Sequence, residues 1–331
     1  MTDPSARLTP VVRLAPAKLN LTLAVVGRRP DGYHALHSVM VPLALADRLS
    51  LAVLPSGDDT LHATGFDPGP PKGNLALQAI ALARSVVARS RVPTPPLAVR
   101  LEKAIPVAAG LAGGSSDGAA ALDGALEAWG ADIDDDRRYE VAARLGSDVP
   151  FFLSPGASLV EGRGERLTPL HGIRGDHHEA PEPPGILLVT PLIPAHTAAV
   201  FEAWSNGAMA EPGTARRTSE HFASEFGSGL TVRVLMERAG VLASANDLWP
   251  AAVSVVPGLL ELRRRLTRLI GRPIGMSGSG PTLWALYPSL DEASAAAEAV
   301  RLAVTERTLN PPGDAPPFVA ATTILTEGRD A

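Results

Sequence analysis

Residues 97–122, LAVRLEKAIPVAAGLAGGSSDGAAAL, constrain the fold more than any other stretch of the chain. Residues 97–103 alternate apolar and polar and read as a strand. The chain then enters a loop beginning at Pro106, and a helix is expected from about Ser116 to Trp129, ended by Gly130. Glycines at 110, 113 and 114 let the backbone take unusual dihedrals and come close to a ligand. Ser115 and Ser116 offer hydroxyls where the helix begins, and its free N–H groups and positive dipole end form an anion site. Gly118, Ala119 and Ala120 leave room for phosphate oxygens in the first turn. No Gly-Lys-Ser/Thr follows the glycines, so this is not a Walker A loop, and the spacing does not match G-x-G-x-x-G. Two readings stay open: a phosphate-holding loop, or a glycine-rich turn that caps an alanine-rich helix. The order of strand, Lys103, small-residue loop and long helix favours the first.

The rest of the chain reads as mixed strands and helices. Residues 11–26 are β-rich with a break at Pro16, and extended stretches follow at 36–45 and 48–54. Residues 74–91 carry apolar groups at helical spacing, with Asn74 as N-cap. Asp134, Asp135 and Asp136 open another helix that stops at Gly146, the carboxylates complementing its N-terminus. Residues 171–184 and 205–229 read as polar loops or partly disordered segments, with a strand between them at 185–190. Strand, helix and strand are expected at 282–287, 290–304 and 318–325. There is no internal repeat and no regular βαβ alternation, so the fold class is α+β. A length of 331 residues suggests about two domains, with a boundary near 155–185.

Composition narrows the function classes. The net charge of -5 gives no basic field, which argues against a nucleic-acid partner. Cysteine is absent, excluding disulfides and thiolate metal sites. The first residues lack the apolar core of a signal peptide, and no run of about 18 apolar residues appears, so a soluble cytoplasmic protein is expected. Of 30 Lys+Arg only Lys18, Lys72 and Lys103 are lysines. A lysine kept against such an arginine bias marks a place that needs a compact ammonium. Lys18 and Lys103 fall inside motifs, whereas Lys72 reads as a loop lysine. His177-His178 lies in an acidic loop with no ligand partner at suitable spacing and reads as solvated.

Residues 106–122 resemble the Pro-x-x-x-Gly-Leu-Gly-Ser-Ser-Ala-Ala motif of the galactokinase, homoserine kinase, mevalonate kinase and phosphomevalonate kinase (GHMP) superfamily. Ala112 stands where the second glycine is usual, an extra Gly-Gly precedes the serines, and Asp117 follows them. Three more segments narrow the resemblance. Ala15-Pro-Ala-Lys-Leu-Asn-Leu-Thr-Leu23 pairs with Gly27-Arg-Arg-Pro-Asp-Gly-Tyr-His34. Leu145-Gly-Ser-Asp-Val-Pro-Phe-Phe152 and the glycine-rich Gly275-Met-Ser-Gly-Ser-Gly-Pro-Thr-Leu283 follow in order. Together they resemble the branch whose members phosphorylate 4-diphosphocytidyl-2-C-methyl-D-erythritol on its 2-hydroxyl in the non-mevalonate route to isoprenoid precursors. Another kinase of the superfamily, or an inactive ligand-binding sensor on the same fold, is the alternative. Tyr33, His34 and the Asp148 segment argue against the first, and the retention of both Lys18 and Asp148 against the second.

The resemblance implies a two-domain fold, an ATP-binding and catalytic domain over 1–165 and a C-terminal domain over 166–331, with the active site in the cleft between them. It implies Asp148 as general base and Lys18 as its orienting cation. ATP is expected against Pro106, Val107, Ala108, Ala109, Gly110, Leu111, Ala112, Gly113, Gly114, Ser115 and Ser116, with Lys103 beside them. Mg²⁺ is expected with the nucleotide, Ser116 being its candidate protein ligand. On the acceptor side, Tyr33 and Phe201 would hold the cytosine ring, His34 its polar edge, and Asn20 the erythritol or Lys18. Thr197 is a further acceptor candidate.

Overall fold

The computed structural model describes residues 9–88, 92–154, 156–174, 182–207 and 214–325. His177 and His178 lie outside the described residues. The chain forms two compact units that interleave along the sequence. One holds residues up to Pro16 with 46–107 and 113–153, and the other holds 17–45, 108–112 and 154 onward.

The first unit is a sheet covered by helices. Its strands are the start of β1 (Val11–Asn20), the end of β3 (His34–Val53), β4 (Thr60–Gly65) and β5 (Leu97–Lys103); β2 (Ala24–Arg28) belongs to the second unit. β5 runs parallel to β4 and antiparallel to β3, with Leu49 opposite Leu101 and Leu51 opposite Val99. Three helices complete the unit: α1 (Leu75–Val87), α2 (Gly113–Trp129) and α3 (Asp135–Leu145). Asn74 caps α1 by accepting from the Ala76 N–H at 2.9 Å, and Asp134 caps α3 by accepting from Arg137 at 2.7 Å, as the sequence predicts. Leu49, Leu51, Ile80, Leu97, Leu101 and Leu122 form the core. Gly124 lets α2 pack close to β3, since a Cβ there would sit 2.7 Å from a Leu51 methyl.

The second unit holds two further sheets. The first half of β3 pairs antiparallel with β2 and with β6 (Ser158–Gly162), which pairs with β7 (Arg166–Pro169). Two-residue strands β8 (Ile173–Arg174) and β10 (Leu230–Thr231) run parallel. An antiparallel sheet has the order β11 (Gly275–Met276), β12 (Leu283–Tyr287), β9 (Gly185–Thr190), β13 (Phe318–Thr323). Its helices are α4 (Thr197–Ser205), α5 (Thr214–Gly227), α6 (Val232–Leu242), α7 (Trp249–Val255), α8 (Leu259–Ile270) and α9 (Leu290–Thr305).

Five local expectations change. β1 runs unbroken through Pro16, whose fixed φ suits an extended backbone. The two extended stretches at 36–45 and 48–54 are one 20-residue strand, with Asp47 of the interval between them fully buried. Residues 150–153 form a 3₁₀ turn, not a strand. The helix after the loop starts at Gly113, so Gly113 to Ser116 are its first turn. Residues 214–227, expected as loop, are helix α5, whose buried stripe Ala215, Ser219, Phe222, Ala223, Phe226 has helical spacing hidden among charged neighbours.

Candidate active site

In the second unit, three separate motifs converge on Lys18. The Lys18 backbone N–H donates to the Leu111 carbonyl at 3.1 Å, joining β1 to the loop 108–112. Lys18 Nζ donates to Asn20 Oδ1 at 2.5 Å, and both residues are buried. Gly110 and the turn at Ser277–Gly280 touch through backbone: Ser277 Oγ donates to the Gly110 carbonyl at 2.9 Å, and a Cβ on Gly110 would sit 2.3 Å from the Ser277 carbonyl oxygen. Gly110 also has φ 76°, which only glycine adopts without strain. On the other side of that turn, a Cβ at Gly278 would lie 3.2 Å from Lys18 Nζ. The residue types dictate this: two glycine-rich segments can approach one ammonium only where neither carries side-chain bulk. Asn246, on the Ala-Asn-Asp-Leu segment, holds the turn by donating from Nδ2 to the Met276 and Gly278 carbonyls, each at 2.9 Å.

The loop itself is tightly wound. Ala108 and Ala112 both take left-handed φ, at 53° and 55°. Ala112 therefore adopts the conformation that a glycine would favour at this point of the motif, at a cost of about 1–2 kcal/mol. Pro106, Ala109 and Leu111 are buried, and Val107 and Ala108 are exposed.

In the first unit, the start of α2 presents Gly114 outward with open space around it, while Ser115 is half-buried. Ser116 is buried, and its hydroxyl has no hydrogen-bond partner. Gly113 packs closely, a Cβ there meeting Ile105 at 3.0 Å and Lys103 Nζ at 3.1 Å. Lys103, expected among the ATP ligands, is instead buried between two carboxylates. Its ammonium pairs with Asp47 and, at 2.8 Å, with Asp117, all three side chains being almost inaccessible. Asp47 Oδ1 also accepts from the Ala104 and Ile105 N–H groups at 2.6 and 2.8 Å. Lys103 is thus a strut joining β3, the end of β5 and the first turn of α2, and its three-donor ammonium suits the two carboxylates. Asp117 Oδ1 has no partner, and burial pushes its carboxyl up to about 7, with Lys103 opposing and Asp47 reinforcing that shift. Asp148 lies half-buried in the turn between α3 and the 3₁₀ turn at 150–153.

A second group gathers aromatic side chains in the second unit. The His34 ring stacks on Phe201 of α4, with centroids 5.0 Å apart and planes at 19°. Trp204, one turn further along α4, meets His34 edge-on at 5.3 Å. His34 Nε2 lies 3.0 Å from Ser205 Oγ. Burial, with some help from Arg28, lowers the His34 pKa and favours the neutral ring. The Tyr33 ring stays exposed at 53%, with the Arg163 guanidinium 5.4 Å from its centroid. Thr197, at the start of α4, is 3.1 Å from Ser279 Oγ of the glycine-rich turn. Trp204 and Asn246 were not picked out as site residues in the sequence; the i, i+3 spacing of Phe201 and Trp204 on one helix is the signal that finds Trp204.

Comparisons with known proteins identify the family. Residues 74–156 match the GHMP kinases N terminal domain, and residues 231–305 match GHMP kinases C terminal. A 4-diphosphocytidyl-2-C-methyl-D-erythritol kinase from Pelotomaculum thermopropionicum is 36% identical over 309 residues, covering 91% of this chain and 99% of that protein. One from Exiguobacterium sibiricum is 35% identical, covering 83% of this chain and 88% of that protein. The crystal structure of a 4-(cytidine 5'-diphospho)-2C-methyl-D-erythritol kinase superposes with a TM-score of 0.65 at 32% identity, over 94% of this chain and 99% of that one. The mevalonate kinase of Methanococcus jannaschii shares the fold, with a TM-score of 0.65 at 10% identity over 98% of this chain and 100% of that one. On its motifs, its fold and this similarity along nearly its whole length, the chain belongs to the 4-diphosphocytidyl-2-C-methyl-D-erythritol kinases, a family of GHMP kinases.

Proposed function

We propose that this protein transfers the γ-phosphoryl group of ATP to the 2-hydroxyl of 4-diphosphocytidyl-2-C-methyl-D-erythritol, in the cytoplasm, as a step of the non-mevalonate route to isoprenoid precursors. The relatives' shared activity supports the reaction, and no described helix is long and apolar enough to cross a membrane. The observation that carries the reading is the convergence of loop 108–112, turn 277–280 and the Lys18–Asn20 pair at one point.

Phosphoryl transfer asks the protein for positioning and charge neutralisation more than for covalent chemistry. The backbone of 106–112 and the N–H groups at the start of α2 receive the ATP phosphates, where Gly114 leaves open space. Lys18 sets its ammonium beside Asn20, offsetting charge on the transferred group and the attacking oxygen. Asp148 accepts the hydroxyl proton as general base, contributing about 10²–10⁴-fold. Ser116, with a buried unpartnered hydroxyl, fits a Mg²⁺ that arrives with the nucleotide. No group of three or more His, Asp or Glu that could hold a metal occurs among the described residues. That cation would neutralise β- and γ-phosphate charge. Lys103 serves this site by bracing the loop, not by touching phosphate.

On the acceptor side, Phe201 and Tyr33 supply π-faces for the cytosine, and neutral His34 its hydrogen bond. The His34 ring covers one Phe201 face, so base binding there would displace or share that stack. Asn20, bonded to Lys18, and Thr197, beside Ser279, would meet the erythritol end of the acceptor. The first 165 residues would carry nucleotide and catalytic groups and 166–331 the remaining acceptor contacts. The deciding experiment measures ATP turnover with the cytidyl-linked methylerythritol, free methylerythritol, mevalonate and homoserine. Turnover is expected only with the cytidyl-linked alcohol; comparable rates with mevalonate or homoserine would overturn the assignment.

A further inference from the structure

A continuous set of buried hydrogen bonds leads from Lys18 to helix α5, and the proposed reaction uses only its first link. Lys18 Nζ can only donate, so Asn20 must face it with Oδ1, which fixes the amide orientation. Asn20 Nδ2 then donates to Ser38 Oγ at 2.8 Å. Ser38 Oγ passes its own proton to the Thr22 carbonyl at 2.5 Å. Thr22 is the junction. Its Oγ1 accepts from the Val39 N–H at 2.9 Å and shares a second hydrogen bond with Ser219 Oγ, 2.7 Å away on α5, in which either hydroxyl can donate. Ser219 Oγ is also 2.9 Å from His37 Nδ1 and can donate to the His37 carbonyl at 3.3 Å. Asn20, Thr22, Ser38 and Ser219 are each no more than 2% exposed.

Thr22 lies in the gap between β1 and β2, where regular strand structure lapses. The Val39 N–H, which a neighbouring strand carbonyl would ordinarily take, is met by the Thr22 side chain instead. The backbone just after Asn20 is therefore held partly by hydroxyls, and the last hydroxyl belongs to α5. Ser219 occupies the middle of the helix's apolar stripe, between Ala215 and Ala223, where a methyl would serve packing alone. A buried polar group in such a place costs free energy unless it is satisfied, and among the described residues Thr22 and His37 satisfy it.

We propose that Ser219 is a positioning residue: through Thr22 and Ser38, it holds Asn20 and hence the Lys18 ammonium in the geometry that phosphoryl transfer needs. This rests on the reading of Lys18 as the cation of the transfer. Removing the Ser219 hydroxyl takes from Thr22 Oγ1 its hydrogen-bond partner on α5 in a site closed to water. The Thr22 hydroxyl is then no longer anchored to α5, which loosens its hold on the Val39 N–H and on the backbone that carries Asn20. Small misplacements of catalytic groups cost up to about 100-fold in rate, and an effect relayed through two side chains is expected at about 10-fold.

The test is steady-state kinetics on full-length Ser219→Ala, Thr22→Val, Thr22→Ser and Lys18→Met, with thermal unfolding alongside. Ser219→Ala and Thr22→Val are each expected to lower kcat about 10-fold, with KM for both substrates within about twofold. Thr22→Ser, which keeps the hydroxyl, is expected to recover most of that loss. In a Lys18→Met background, Ser219→Ala should produce no further fall in kcat. A folded Ser219→Ala with unchanged kcat, or with the same 10-fold loss on top of Lys18→Met, overturns the proposal. If Ser219→Ala does not fold, the contrast between Thr22→Val and Thr22→Ser decides, and equal kcat for the two overturns it. Full activity of Lys18→Met alone would refute the catalytic reading of Lys18 and the Ser219 proposal with it, an outcome distinct from the others.

Discussion

Replacing Asp117 by Asn should change how stability depends on pH. Asp117 faces Lys103 with one oxygen and has no partner for the other, while Asp47 receives Lys103 and two backbone N–H groups. Burial raises the Asp117 carboxyl from an ordinary 3.8 to about 7 in the fold. Between those values the folded protein keeps a proton that the unfolded chain has lost, so stability falls as pH rises and the contribution is gone above about pH 7. About three pH units at 1.36 kcal/mol each sets a ceiling of about 4 kcal/mol. Between pH 5 and pH 8 the loss is about 3 kcal/mol. Asn cannot titrate, and whatever its amide costs or contributes beside Lys103 is nearly constant with pH. Urea unfolding of both proteins at fixed ionic strength, without nucleotide or divalent cation, gives the difference at each pH. Wild type minus Asp117→Asn is expected to fall by about 3 kcal/mol from pH 5 to pH 8. A difference flat to within about 0.5 kcal/mol would show that Asp117 is charged throughout and that Lys103 outweighs burial.

Gly114→Val should leave the fold intact, because the position is open, yet weaken binding of an ATP analogue at least tenfold; unchanged affinity would reduce the segment to a helix cap. Ala112→Gly should raise unfolding free energy by about 0.5–1 kcal/mol by relieving a left-handed alanine, and a loss of stability in urea titration would contradict the conformation assigned there. Gly110→Ala should destabilise by several times that amount, since its Cβ would meet the Ser277 carbonyl. Asp148→Asn should cut kcat by about 10²–10⁴ with ATP affinity nearly unchanged, and combined with Lys18→Met should lose less than the product of the single effects. Folded, fully active Asp148→Asn would remove it as the base.

Local chemistry made much of this protein legible. The helix starts at Asn74 and Asp134 follow from side chains that cap their own next turn, and the glycine-rich loop from residues whose special dihedrals need no distant partner. The four motifs that identify the family are short runs of the same kind. What the sequence could not show depends on contacts between residues far apart in the chain. Lys103 stands beside the loop in the sequence and reads as a phosphate ligand; only the fold brings Asp47, 56 residues earlier, onto its ammonium. Asp47 likewise lies between two stretches that read as separate strands, because period-two patterning treats a carboxylate as a surface group, whereas tertiary structure buries it with three donors. Residues 214–227 read as loop because a stripe that includes a serine looks discontinuous. Ser219 belongs in that stripe only because Thr22 and His37, both more than 180 residues away, supply its hydrogen bonds. Sequence thus determined the elements and motifs, whose causes lie within a few residues. The fold alone decided which buried charge and which hydroxyl could be satisfied, because in a closed interior that depends on partners the chain's order does not reveal.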